Sequence, residues 1–333
     1  MRAVYISDCE GPITRNDNAF ELSAHFIPDG ERLFSILSRY DDVLAYTYRR
    51  EGYRAGNTLK LIVPFLKAYG ATNEKVTAFC RANMVLVPGA DSFLKWVSRM
   101  VPAFLVSTSY EPYIASLCDL IGFPIGQAFC TLLDLDRYDL GSQEIHFVRR
   151  KAVEILQLPM LPEAGRECSR EVSQTVHALD RIFEALSTRG SGMIMDEVNP
   201  VGGEEKSKRV SSIIAELECE LENAIYVGDS ITDVAAYEFV RKGGGLTVSF
   251  NGNRYAVENA EIAVISDTTD VLKAVVSVFL REKREGVLGR IRKWNSAEYP
   301  KVFLVTPKNS DVISEESSRV RRSLRGERIG SLG

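Results

Sequence analysis

The stretch Tyr5-Ile-Ser-Asp-Cys-Glu-Gly-Pro-Ile-Thr14 begins as an apolar run and breaks into two acids, a glycine and a proline. The apolar part, Arg2 to Ser7, predicts a buried parallel strand with helices on both faces. In open α/β sheets ligands bind beyond the carboxyl ends of such strands, which is where Asp8 and Glu10 stand. Residues two apart on extended backbone project to one side, so both carboxylates can serve one site. Gly11 and Pro12 then permit a tight turn around it. Taken alone, the stretch suits a solvated turn or a helix cap better than chemistry.

A second copy of the pattern shifts that balance. Asn223-Ala-Ile-Tyr-Val-Gly-Asp-Ser-Ile-Thr-Asp233 is again an apolar strand ending in Gly-Asp, with another Asp four residues on. Between the copies lie Phe104-Leu-Val-Ser-Thr-Ser109, a strand ending in hydroxyls, and Lys206 at the head of a helix. The set suits phosphoryl transfer. Asp8 can attack phosphorus and form an aspartyl-phosphate, splitting one hard step into two. Glu10 is placed to protonate the leaving alcohol and then to activate water. Mg²⁺ takes oxygen ligands in near-octahedral geometry. Asp8, Glu10 through its backbone carbonyl, Asp229 and the supporting Asp233 are the candidates to hold it. Ser107 and Thr108, with neighbouring amides, are the candidate phosphate-binding groups, and Lys206 would offset the charge of the carboxylates and the transferring group. Simpler roles stay open: Ser107 as a helix cap, Asp233 as a helix start, and Lys206 beside Lys208 as a surface lysine.

Composition leaves room for this reading. The 333 residues suit two domains or one with large insertions, and 45% apolar with 26% charged residues is ordinary for a globular chain. No apolar stretch is long enough for a transmembrane helix, and the first residues lack the pattern of a signal peptide, so a cytoplasmic protein without membrane insertion is expected. Six cysteines without CxxC spacing point to free thiols, and His25, His146 and His177 are too scattered for a histidine zinc site. The net charge of −4 is unevenly distributed: residues 281–333 hold thirteen Lys or Arg against seven Asp or Glu. Such a basic tail suits an anionic partner or a solvated terminus.

The chain in order alternates strands and helices, which predicts an α/β architecture with a parallel sheet flanked by helices. After Thr14 comes a helical insert, and 15–85 is read as a cap carrying Arg49, Arg50 and Arg54, which could hold an anionic substrate group. Residues 123–136 read as extended. Residues 147–190 form a second, mostly helical insertion, and Gly192 to Met195 reads as a strand. Asn253, in Phe250-Asn-Gly-Asn253, suits a turn first and a site edge second. The core is then 1–14, 86–146 and 191–280, followed by a basic C-terminal extension, 281–333.

Asp8-Cys-Glu10, Ser107 after its apolar strand, Lys206 and Gly-Asp229-Ser-Ile-Thr-Asp233 resemble the motifs of the haloacid dehalogenase superfamily. Lys206 lies twenty-two residues before Gly228, similar to the phosphoserine-phosphatase-like branch, and this favours it over Lys208. The resemblance implies a Rossmann-like core with a specificity cap, Mg²⁺, a phosphoenzyme and a small phosphorylated metabolite as partner, with no nucleic acid. Glu10 departs from the Asp usual there, although an Asp-x-Glu-Gly branch with phosphatase or phosphotransferase activity also resembles this chain. Over its whole length, including Lys293-Trp-Asn-Ser-Ala-Glu-Tyr-Pro300, the chain is similar to archaeal energy-converting hydrogenase A subunit R-like proteins. That resemblance implies association with a membrane hydrogenase complex and opens the alternative of a non-catalytic accessory subunit.

Overall fold

The computed structural model describes residues 3–165, 169–292 and 301–332. A seven-stranded sheet lies at its centre: β1 (Val4–Ser7), β2 (Ala103–Tyr110), β3 (Ala128–Thr131), β4 (Ala224–Gly228), β5 (Leu246–Phe250), β6 (Ile262–Val264) and β7 (Val302–Leu304). Their spatial order is β3-β2-β1-β4-β5-β6-β7. All pairings are parallel except the last, in which β7 runs antiparallel to β6. The chain winds outward from β1 through β2 to β3, then returns to place β4 on the other side of β1. That reversal opens a crevice beyond the carboxyl ends of β1 and β4.

All four residues of β1 are fully buried, because each face of the sheet carries helices. Val4 and Ile6 pack with Val210, Ile213, Tyr237 and Val240 from helices Glu204–Glu216 and Val234–Lys242. Tyr5 points the other way and meets Phe93 of helix Ala90–Met100 edge-on, with ring centroids 5.4 Å apart. Expectation and structure agree on the α/β class, the parallel sheet and the flanking helices.

Helices Asn18–Phe26, Gly30–Asp42, Thr58–Ala68 and Asn73–Asn83 follow β1, as the helical insert requires. The later helices Ser142–Leu156, Arg170–Ser187 and Gly190–Glu197 pack against Gly30–Asp42 and Thr58–Ala68. Tyr40 stacks on Phe183 with centroids 5.8 Å apart, and the Tyr40 hydroxyl donates to Asp180 at 2.5 Å. Two inserts distant in sequence thus share one apolar layer.

Three expectations need correction. Gly192 to Met195 lies within helix Gly190–Glu197, not a strand. A short apolar run fits either period, and here Ile194 and Met195 are buried in the apolar layer of the helical inserts. The extended reading of 123–136 narrows to β3, flanked by single turns at Ile125–Gln127 and Leu135–Arg137. The helix expected near residue 147 begins at Ser142. β7 and helix Ser310–Arg325 lie beyond the anticipated elements, within the basic extension. Lys293 to Pro300 and Cys168 fall outside the described residues. Among the described residues, no helix is long and apolar enough to cross a membrane.

Truncating Ile194, which has no exposed surface, tests the helical packing. Ile194→Ala is expected to lower the unfolding free energy by about 2–5 kcal/mol, read from urea denaturation at unchanged m-value.

Candidate active site

Asp8 is the first residue past β1, and its amide donates to the Val227 carbonyl at 2.8 Å, so the sheet itself fixes the position. One Asp8 carboxylate oxygen, Oδ1, accepts the Cys9 amide at 2.6 Å. The other accepts Lys206 Nζ at 2.5 Å. Lys206 stands in the first turn of helix Glu204–Glu216, entirely buried, and donates also to Asp233 Oδ1 at 2.7 Å. Burial pushes the Asp8 carboxyl up to about 7 against the pull of Lys206. Burial also acts to discharge Lys206, but the Asp233 and Asp8 carboxylates prevail and hold its ammonium charged.

Asp233 is completely enclosed. Its Oδ1 accepts Lys206 and the Tyr226 hydroxyl (2.8 Å), and its Oδ2 accepts the amides of Asp229 (2.9 Å) and Ser230 (3.0 Å). The side chain ties Lys206 to the turn after β4. Gly228 is required at that turn, since a Cβ there would lie 2.3 Å from Asp233 Cγ. Gly11 is required likewise: its φ is +96°, and a Cβ would lie 2.1 Å from Asp229 Oδ2. These two glycines let the loops after β1 and β4 touch.

Asp8, Asp229 and Asp233 each place a carboxylate oxygen within 4.8 Å of the others. An all-oxygen set of this kind fits Mg²⁺ chemically. Asp233 already accepts five hydrogen bonds, so Asp8 and Asp229 are left as the carboxylates suited to a cation, with Asp233 as their brace. Glu10 lines the same cavity, and its Oε1 accepts the Asn18 amide at 2.7 Å. Burial first, and then the charge of Asp17, raises the Glu10 carboxyl well above the usual carboxylate range, against the pull of Arg325.

The hydroxyls divide. Thr108 lines the cavity, whereas Ser107 does not; Ser107 Oγ donates to Ser109 Oγ at 3.1 Å inside the strand end. Asn253 caps helix Arg254–Asn259 with its side chain and donates its amide to the Asp229 carbonyl at 2.9 Å. The three cap arginines stand elsewhere. Arg50 forms a bidentate pair with Asp180 (2.9 and 2.8 Å), Arg54 pairs with Glu204 at 3.2 Å, and Arg49 is exposed; none lines the cavity.

Other residues reach the cavity without having been singled out in the sequence. Asp17, Asp41 and Asp42 line it from the helical insert, and Arg321 and Arg325 line it from the C-terminal extension. Arg321 and Arg325 both donate to Asp229 Oδ2, the latter at 3.0 Å. Their spacing of four, one helical turn in a basic segment, is the only trace they leave in the sequence.

Asp42 gives a test of this acidic lining. Burial, then the charge of Asp41, raises its carboxyl to about 8 from an ordinary 3.8. A carboxyl raised on folding favours the folded state while protonated and loses that advantage as pH climbs from about 4 to about 8. Asp42→Asn is therefore expected to raise the melting temperature by several degrees at pH 8.5 and to change it little at pH 4, measured by calorimetry.

By sequence, neither a family model nor a curated protein matches the chain. By structure, it is similar to gene product AF1437 from Archaeoglobus fulgidus, with TM-score 0.87 and 29% identity over 100% of this chain and 99% of that one. It is similar also to a substrate-bound phosphoserine phosphatase, with TM-score 0.52 and 14% identity over 83% of this chain and 98% of that one. A phospho-aspartyl intermediate analogue of phosphoserine phosphatase aligns with the same values. The parallel sheet, its strand order and these likenesses together establish that the chain carries the Rossmann-like α/β fold of the haloacid dehalogenase type.

Proposed function

We propose that the chain is a Mg²⁺-dependent phosphoric monoester hydrolase of the haloacid dehalogenase superfamily, acting on a small phosphorylated metabolite through an Asp8 phosphoenzyme. One observation carries the reading: a strand-end carboxylate held at 2.5 Å by a buried lysine shares a cavity with a second carboxyl two residues on, whose proton affinity its surroundings raise. The phosphoserine phosphatase likenesses supply the fold precedent, one of them as a phospho-aspartyl analogue.

In the first half-reaction an Asp8 oxygen forms a bond to phosphorus while the ester P–O bond breaks. The electron pair leaves on the alcohol oxygen, which takes the Glu10 proton. In the second, Glu10 as carboxylate accepts a proton from water, whose oxygen bonds to phosphorus as the aspartyl P–O bond breaks. Lys206 orients the Asp8 carboxylate and stabilises the negative charge gathered there. Thr108 offers a hydroxyl to the phosphoryl oxygens. Mg²⁺, held by Asp8, the Glu10 carbonyl and Asp229, would lessen repulsion between the nucleophile and the phosphate.

An accessory role beside a membrane hydrogenase draws less support. Glu10, the second insertion and the basic extension motivate it, yet the Glu10 carboxyl is raised as an acid's would be, the insertion packs on the helical insert, and two arginines of the extension meet the chain's own Asp229.

Phosphate release from a panel of small phosphomonoesters with Mg²⁺ tests the proposal. Asp8→Asn is expected to abolish release and Glu10→Gln to lower kcat by about 10²–10⁴-fold. With para-nitrophenyl phosphate, whose leaving group needs no proton, Glu10→Gln is expected to slow the first half-reaction far less, read from the burst of nitrophenol. Full turnover by Asp8→Asn would refute the reading.

A further inference from the structure

Residues 310–332 lie across the cavity just described. In helix Ser310–Arg325, Ile313 packs with Val257, Ala263 and Ile265. Ser317 Oγ donates to the Gly252 carbonyl at 2.6 Å, seating the next turn above the loop after β4. That turn carries Arg321 and Arg325, four apart and hence on one face. Both donate to Asp229 Oδ2. Arg321 also reaches the Asp229 carbonyl at 3.1 Å, and Arg325 reaches the carbonyls of Arg15 (3.1 Å) and Asn16 (2.6 Å). Beyond Gly326 the chain folds back toward helix Gly30–Asp42. There Arg328 pairs with Glu31, and the Ser331 carbonyl accepts Arg39 at 3.4 Å. One segment thus touches the loops after β1 and β4 and the helical insert at once.

Two observations meet here. Asp229 Oδ2, the oxygen nearest the β1 loop, already faces two guanidinium groups. The remaining cavity is about 100 Å³, and Arg321, Arg325 and Leu332 line it. Pockets that hold small molecules run to about 300–1,000 Å³. As arranged, the segment fills space that a phosphomonoester would need.

We infer that residues 310–332 form an internal plug whose paired guanidinium groups compete with a divalent cation for Asp229. The inference rests on the metal-dependent reading of the site, but not on turnover. Exchange of two single positive charges for one double charge leaves the balance among the acids unchanged, so neither state strands a buried carboxylate. The far end of the segment is held to the helical insert by the exposed Arg328–Glu31 pair, an interaction that contributes little in water. Because the two occupants exclude one another, metal binding must loosen the segment, and loosening the segment must tighten metal binding by the same factor.

The double variant Arg321→Met/Arg325→Met keeps side-chain length and removes the competing charge. Calorimetric titration with Mg²⁺, repeated with Mn²⁺ and spin-resonance detection, is expected to show binding about 5- to 150-fold tighter than in the unaltered chain. Ser317→Ala keeps both arginines but loosens their helix, and tighter binding is expected there too. In the unaltered chain, saturating Mg²⁺ is expected to speed amide hydrogen exchange across 310–332, with no such change in Asp229→Asn. Equal or weaker metal affinity in the folded variants, no metal binding at all, or exchange indifferent to Mg²⁺ would each overturn the plug; weaker affinity would instead make the arginines partners of a bound anion. These readouts need no turnover, so a chain with coupled metal binding and no hydrolysis would refute the phosphatase and keep the plug.

Discussion

Lys206 has no exposed surface and lies between Asp8 at 2.5 Å and Asp233 at 2.7 Å. An isolated ammonium or carboxylate at that depth would cost several kcal/mol, so each of the three charges depends on the other two. The arrangement also joins three separate pieces of chain: the end of β1, the head of helix Glu204–Glu216 and the turn after β4. Removing any one member strands the others. Asp233 carries this furthest, since it also gathers Tyr226 and the amides of Asp229 and Ser230. It shapes the site without facing the cavity.

The same triad sets how the neighbouring acids differ. Asp8 is held by a lysine, whose charge opposes the burial that raises its carboxyl. Glu10, two residues on, accepts the Asn18 amide, and burial and the charge of Asp17 raise its carboxyl well above the usual range. Under the proposed function, these different surroundings divide two carboxyls of one loop between nucleophile and acid. The two glycines that permit contact between the loops make this possible. Gly11 in particular allows Asp229 to approach the β1 loop more closely than any side chain would permit.

The C-terminal extension changes the meaning of its own composition. Read as a list of residues, its excess of Lys and Arg suggests an external anion or a solvated terminus. In the fold, part of that charge turns inward, where the acids of the two strand-end loops are crowded. Arg321 is 4% exposed, a value that a guanidinium reaches only when paired. Charge that looked directed at a partner is partly directed at the chain's own Asp229.

The sheet and its strand-end acids were legible in the sequence because both depend on local pattern. An apolar run of strand length that stops at Gly-Asp or Asp-x-Glu declares a buried strand and its functional end, and β1 with Asp8 and β4 with Asp229 follow from it. Lys206 was legible at the head of its helix, and the resemblance to the phosphoserine-phosphatase-like branch singled it out from Lys208. What only the tertiary structure decided are the choices among equivalent groups. Ser107 and Thr108 are adjacent, and strand alternation turned Thr108, not Ser107, to the cavity. Arg50 found Asp180, 130 residues away, because two helical inserts share one layer. Arg321 and Arg325 found Asp229 across more than ninety residues through a helix seated by Ile313 and Ser317. Pairings at such distances rest on packing between elements, which leaves no periodic mark in either partner's sequence.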